Sequence, residues 1–405
     1  MPPRPSPCGA CFGPSATAPR RWSSRSLPLA TRSSSRAPTD ARTLFCSLMT
    51  RSIFANIAAT LSLTTAAFAL PPFQLNEADL ARLAAEAPSA LRAKIETVAD
   101  KPLPSPGGDP RNYVSYARYY WPNPDQPDGL PFVSRDGQHN HEQVARGDRH
   151  RIGRFCENVA RLAAAWHLRR DEAAARRAGE WLRAWFVTPA TRMNPHLDYA
   201  QVRLGHHGNR GNASGVLDSR DLALVVDALR LLDDAPALTT PEREAVRTWF
   251  GEFLNWLETA PTARAERAAK NNHGSWFFAQ AIPIARFAGR DDLARQLCEE
   301  AKILIAHQIR PDGAQPDEIR RVDGLGYSRF NLEAHAVIAR HAAAYGIDLW
   351  NYVAPNGASL RVALEFLRPY NAAPEKWPHS QREKLPAGFL DALLREAGLL
   401  EPSRS

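Results

Sequence analysis

Cysteine is scarce in this chain, and its placement excludes more than its number does. Three of the five, Cys8, Cys11 and Cys46, fall within the first 48 of 405 residues. Cys156 and Cys298 remain for the body. They are too far apart to build a disulfide framework or a cysteine-based metal site, and both read as buried thiols. A glycine-rich phosphate loop, a serine nucleophile elbow and a dinucleotide fingerprint are all missing, which removes the common nucleotide-binding and α/β-hydrolase classes. Alternating apolar and polar runs are nearly absent, so no substantial sheet is expected. Outside residues 49–69 no stretch is long and apolar enough to cross a membrane. His139-Asn-His141 and His206-His207 fit no strong zinc spacing, because neighbouring imidazoles rarely reach one ion together. Neither a metal nor a cofactor is expected.

Positive charge is plentiful only at one end. A formal net charge of +8 invites a nucleic-acid or membrane-surface reading. Yet residues 1–48 hold seven arginines against the single acid Asp40, and Arg51 adds one more, so seven of the eight net charges precede residue 70. The remainder is close to neutral, and no nucleic-acid partner is expected.

Residues 1–48 are rich in Ser, Pro and Arg without hydrophobic period, and a packed core cannot be built from them. Residues 49–69 start Met49-Thr-Arg51, run apolar and end Ala67-Phe68-Ala69. A basic start, a short apolar run and a small-residue cleavage site make a secretory signal peptide, too short to serve as a stable membrane anchor. Such a peptide works at a chain start, so Met49 is the expected start and 1–48 a mis-called extension. An Arg/Ser-rich organelle transit segment is the other reading. Residues 70–405 are expected to form one exported domain, periplasmic or secreted.

That domain reads as helix after helix. Phe155, Val159, Leu162, Ala163 and Trp166 recur at helical spacing, as do Leu222, Val225, Val226, Leu229 and Leu232. Val246, Trp249, Phe250, Phe253, Leu254 and Leu257 form the cleanest stripe, preceded by Thr240-Pro241 as a cap and a first-turn proline. Further helices are expected near 76–99, 171–187, 275–288, 297–305, 327–345, 360–367 and 387–399. With no fixed repeat period to indicate a solenoid, the expected fold class is all-α, as an α/α toroid: helical hairpins closing into an incomplete α/α barrel. Long polar or aromatic connections at 103–140 and 189–217 suit a cleft at one end of it.

Two local features carry chemistry. Lys270-Asn271-Asn272-His273-Gly274-Ser275-Trp276 precedes an apolar helix. Hydrogen-bonding side chains in such a place need partners if buried; a helix cap and a functional site both stand as readings. The second feature places Arg320, Arg321, Tyr327 and Arg329 ahead of and into a helix. Guanidinium groups near a Tyr favour its phenolate and would make it a usable base. A Tyr packed on the core beside solvated arginines is the plainer alternative.

Together with several motifs in order, these features resemble the alginate-lyase-like polysaccharide lyases. The motifs are Tyr-Trp-Pro-Asn-Pro-Asp-Gln-Pro-Asp-Gly-Leu-Pro at 120–131, Arg135-Asp136-Gly137, Met193-Asn194-Pro195 with Tyr199-Ala200-Gln201, and Asp218-Ser219-Arg220-Asp221. Asn271-Asn272-His273, the Arg320 to Tyr327 segment, Phe330-Asn331-Leu332-Glu333, Asp348 to Tyr352 and Trp377-Pro378 complete them. The resemblance spans about 110–380. It implies an α/α toroid and β-elimination of an anionic uronate polysaccharide, with Asn272, His273, Arg320 and Tyr327 as catalytic residues. Two departures bear on substrate rather than chemistry. Gly274-Ser275-Trp276 stands where the best-known members have Ser-Tyr-Trp, and Ser328-Arg329 where they have His-Asn. The aromatic loop at 119–131 looks closer to a branch with glucuronan-cleaving members.

In a 4-linked uronate, removal of the C5 proton builds charge beside a carboxylate that must first be neutralised. Asn272, Arg320 and His273 can supply donors and positive charge, each typically worth a few kcal/mol in the transition state. Mannuronate and glucuronate carry C5–H and C4–O on one face, so Tyr327 can act as base and then acid. Guluronate carries them on opposite faces and requires a second group, for which His273 is the candidate; otherwise His273 either neutralises the carboxylate or helps deprotonate Tyr327. Mannuronate and glucuronate differ at C2, so discrimination falls to the subsite residues: Asn271, Trp276, Arg329, Tyr119, Tyr120, Trp121, Arg135, His196 and Arg220, with Tyr116 a further aromatic. Aromatic rings can stack on sugars and arginines can pair with carboxylates. Two rivals stand beside this reading. A toroidal glycoside hydrolase would need paired carboxylates from Asp218, Asp221, Asp317, Glu318 or Asp323. A non-catalytic exported polysaccharide-binding protein would need only the aromatic loops.

Overall fold

The computed structural model describes residues 75, 77–102 and 107–401. The chain divides into Met1–Thr65 and Ala66–Ser405, and every described residue belongs to the second unit. The expected extension (1–48) and signal peptide (49–69) lie outside the described residues.

Helix follows helix wherever apolar residues recur every three to four positions. The first group is α1 (Glu77–Arg92), α2 (His141–Ala145), α3 (Arg149–Arg169), α4 (Glu172–Leu182) and α5 (Leu222–Leu231). The second is α6 (Thr240–Thr259), α7 (Pro261–Arg267), α8 (Asn272–Phe287) and α9 (Asp291–Gln308). The third is α10 (Pro316–Ile319), α11 (Gly324–Ala343), α12 (Leu360–Leu367) and α13 (Asp391–Glu396). Thr239 and Glu242 form a reciprocal capping box that starts α6, one residue ahead of the expected Thr240 cap. All six residues of the α6 stripe, Val246 to Leu257, are buried.

Packing follows from those stripes. Helix α3 packs on α1, α4 and α5, where Ala84, Ala160 and Ala164 let the backbones approach. Phe155 stacks on Trp185 with ring centroids 4.4 Å apart, and Trp249 lies between Phe186 and Phe253. Each fully buried Phe of this set contributes about 1.5–3 kcal/mol relative to exposure. Helix α8 sits at the centre, against α5, α6, α7, α9 and α11. These helical hairpins form the α/α toroid expected from the sequence. Cys156 and Cys298 are free, buried thiols. Among the described residues no helix is long and apolar enough to cross a membrane.

Extended structure is confined to two short ladders. β1 (Val114–Tyr116) runs parallel to β4 (Tyr199–Val202), pairing Val114 with Tyr199 and Tyr116 with Val202 around an irregularity. β2 (Tyr120–Trp121) is antiparallel to β3 (Val133–Ser134), with Tyr120 opposite Ser134. Both ladders belong to the long connections, and they bring the 118–134 and 199–203 segments to one end of the helical scaffold.

Candidate active site

The N-terminus of α8, the turn between α10 and α11, and the two ladders enclose a cleft of about 510 Å³. Helix α8 begins at Asn272, three residues earlier than its apolar pattern indicates, so Asn272 and His273 lie in its first turn. The Asn271 side chain is the cap and accepts the His273 amide. Asn272 is 1% exposed; its backbone N–H and Nδ2 donate to the two carboxylate oxygens of Glu318, at 2.7 and 2.6 Å. His273 Nδ1 lies 2.5 Å from Glu266 Oε1. Each member of the Asn-His pair is therefore held by its own buried carboxylate. Burial pushes both carboxyls up, opposed at Glu266 by His273 and at Glu318 by its bonds to Asn272. Gly274 is required by this turn: a Cβ there would lie 2.2 Å from the Ala269 carbonyl oxygen.

The two arginines after α10 part company. That helix is a single turn whose C-cap is Arg320, and the Arg320 guanidinium turns away to pair with Asp317 at 3.0 Å, its side chain 73% exposed. The structure does not bring Arg320, expected as a catalytic residue, to the cleft lining; Arg321 lines it. Arg321 Nη2 donates to Tyr327 Oη at 3.1 Å and to Asp136 Oδ1 at 3.0 Å. Its guanidinium carbon lies 4.1 Å from the Tyr327 ring centroid. Tyr327, in the first turn of α11, also shares a hydrogen bond of 3.0 Å with the Tyr119 hydroxyl. The lowered phenol pKa expected from nearby arginines does not hold. Burial and the Tyr119 hydrogen bond push the Tyr327 phenol up, against the pull of Arg321 and Arg118. At rest it is a neutral phenol.

The opposite wall depends on Asp218. Its buried carboxylate accepts from Tyr113 (3.1 Å), Ser115 (2.5 Å), Gln201 Nε2 (2.9 Å) and Arg149 (2.5 Å). Arg149 and Gln201 are thereby fixed at the cleft surface. Gln201 adopts φ 50°, a backbone conformation rare for a side-chain-bearing residue, with its N–H donated to Ser115. On the floor Arg220 lies 5.7 Å from the Trp276 ring and 5.8 Å from that of Phe330, while Arg329 pairs with Glu333 at 3.0 Å.

Of the expected substrate-binding residues, Tyr119, Tyr120, Arg220 and Arg329 line the cleft. Trp276 supports Arg220 from behind. Asn271, Trp121, Arg135 and His196 are not brought to its surface. Asn271 is a cap; Trp121 donates to the Gln138 carbonyl with Arg135 over its ring; His196 packs beside Tyr199 and Asp198. Sequence reasoning missed Arg118, Arg149, Arg203 and Glu266; it placed Arg321 near Tyr327 without a catalytic role and named Glu318 only for the hydrolase reading. Arg118, Arg149, Arg203, Arg220, Arg321 and Arg329 face only Asp323 and Glu383 among the acids of the lining. Asp323 is itself occupied by the Arg382 and Glu383 amides. Among the described residues no group of three or more His, Cys, Asp or Glu could hold a metal.

The model of the alginate lyase family matches residues 97–377. A crystal structure of an alginate lyase from Bacteroides ovatus is 34% identical, with a TM-score of 0.76, over 79% of this chain and 85% of that one. An alginate lyase from a Sphingomonas species, 19% identical with a TM-score of 0.51 over 80% of this chain and 90% of its own, shares the fold. A variant of that lyase has been solved complexed with tetrasaccharide. No curated protein matches the chain. A toroid of helical hairpins with a basic, tyrosine-bearing cleft is the architecture of a polysaccharide lyase. This chain belongs to the alginate lyase family.

Proposed function

We propose that the protein cleaves a 4-linked uronate polysaccharide, polymannuronate or glucuronan, by syn β-elimination. The observation that carries this is the Tyr327 hydroxyl, held between Arg321 and Tyr119 in the cleft that also receives Asn272 and His273. Asn272, His273 and Arg321 neutralise the uronate carboxylate. With Nδ1 committed to Glu266, His273 has Nε2 left for the cleft, and it accepts the Tyr327 phenol proton. One transfer makes both the base and a cation for the carboxylate. The phenolate, stabilised by Arg321 and Tyr119, removes the C5 proton; the resulting phenol protonates the departing O4. Six arginines around the cleft supply the attraction for a polyanion that a nearly neutral body lacks. The signal-like residues 49–69 fit a periplasmic or secreted enzyme meeting a polymer outside the cytoplasm.

A glycoside hydrolase is less well supported, because Asp218 and Glu318 are buried and bonded and Asp317 pairs with Arg320. Elimination leaves a conjugated double bond that absorbs in the ultraviolet, whereas hydrolysis leaves none. The enzyme should generate that absorbance on polymannuronate or glucuronan and little on polyguluronate. Tyr327→Phe should fold normally and lose about 10³-fold or more in kcat, a loss on the scale of general acid–base catalysis. Reducing ends without absorbance, or near-normal turnover by that variant, would overturn the reading.

A further inference from the structure

Glu266 is an acid in an awkward place. It sits on α7 with its side chain 3% exposed, and an unpaired carboxylate at that depth is costly. What it meets is the Nδ1 edge of His273, seven residues on and across the turn into α8. We propose that Glu266 is a positioning residue for the elimination: it fixes His273 with Nδ1–H donated to its carboxylate and Nε2 turned to the cleft, and it carries the countercharge for the imidazolium that forms when His273 takes the Tyr327 proton. This rests on the reading given under Proposed function.

The proton balance is simple. Tyr327–OH and neutral His273 become phenolate and imidazolium; the proton leaves oxygen for Nε2, and no other species is needed. The imidazolium then lies between two anions, Glu266 behind and the uronate carboxylate in front. A fixed carboxylate behind a histidine sets its tautomer and favours its charged form. Burial pushes the Glu266 carboxyl up, and its contact with His273 pulls it back down. The surrounding charges are also fixed. Asp218 faces Glu266 from the 213–219 turn, Glu318 and Arg321 face the Asn-His pair from the α10 side, and Arg267 on α7 is paired with Glu300 on α9.

Glu266→Gln keeps the shape and an acceptor oxygen but removes the charge. The full-length protein carrying it should keep its denaturation midpoint and its KM within about threefold, with kcat down about 100-fold or more, as for other carboxylate-supported histidines. The acid limb of its kcat/KM profile should move to lower pH, because losing the negative neighbour makes the ring harder to protonate. Glu266→Asp, which restores charge on a shorter stem, should recover part of kcat and return the limb toward its original position. Nitrogen-15 histidine spectra of the unmodified protein should show Nδ1 protonated and Nε2 bare above neutral pH, and this readout stands even if Glu266→Gln does not fold. A wild-type kcat with an unmoved acid limb in Glu266→Gln, or the opposite tautomer in the spectra, would overturn the assignment while leaving lyase activity intact. Absence of the ultraviolet-absorbing product from the wild-type protein would instead defeat the underlying reading.

Discussion

Replacing Arg320 and Arg321 by alanine, one at a time, tests which of two adjacent guanidinium groups serves the cleft. Arg321 donates to the Tyr327 hydroxyl at 3.1 Å, lies 4.1 Å from its ring centroid and bridges to Asp136. Losing one preorganised donor to developing charge typically costs about 3–4 kcal/mol, or 10²–10³ in kcat. The half-exposed Asp136 left behind adds little, because pairs at that exposure contribute at most about 1 kcal/mol. Arg321 is also one of the two cations that oppose the upward push on the Tyr327 phenol, so its removal makes the base harder to form. Arg321→Ala is therefore expected to lose at least about 100-fold in kcat with little change in stability.

Arg320 offers the contrast. Its one ion pair, to Asp317, is 73% exposed on the arginine side and screened by solvent. Arg320→Ala should stay within about twofold of the parent in kcat/KM and within about 0.5 kcal/mol in stability. Initial rates of absorbance increase on polymannuronate and glucuronan, alongside a denaturant titration of each variant, measure both quantities. Equal losses in the two variants, or a larger loss at Arg320, would refute the assignment of Arg321 to the cleft. Arg321→Lys should recover only part of the activity, since an ammonium cannot hold the phenol and Asp136 as a planar fork does.

Gly274→Ala should destabilise the α7–α8 turn by about 1–3 kcal/mol, because its Cβ would lie 2.2 Å from the Ala269 carbonyl oxygen. It should lower kcat as well, since the same turn carries Asn272 and His273; unchanged stability and turnover would show that the turn can shift freely. His335, fully buried, is held down at about 4 from an ordinary 6.5. The unfolded chain thus takes a proton near pH 6.5 that the folded protein refuses until about pH 4. The stability this represents is complete above pH 6.5 and falls by about 3 kcal/mol as pH drops toward 4. Denaturation of His335→Gln at pH 7, 5.5 and 4.5 should give a shallower decline than in the parent; an identical slope would rule His335 out as a source of acid lability.

Helices were legible because burial repeats along one face: the Val246 to Leu257 stripe shows it, and every member of that stripe is buried. Periodicity reads only apolar positions, which is why it places the start of α8 at 275 while the helix begins at Asn272. The residues it passes over are polar, and their partners are Glu266 and the more distant Glu318. A lone glutamate on a short helix looks solvated in sequence; its burial is decided by what packs over it, and here that is the Asn-His pair. Adjacent arginines are ambiguous for a similar reason. Consecutive positions point about 100° apart on a helix, and where α10 ends at Ile319 determines which of Arg320 and Arg321 enters the cleft. Net charge misled and then informed. Seven of eight net charges precede residue 70, so the folded body must concentrate its cations to bind a polyanion. It does so by drawing Arg118, Arg149, Arg203, Arg220, Arg321 and Arg329 from separate segments into one lining. Composition could require such a cluster, but only the ladders and helix ends of the folded chain could assemble it.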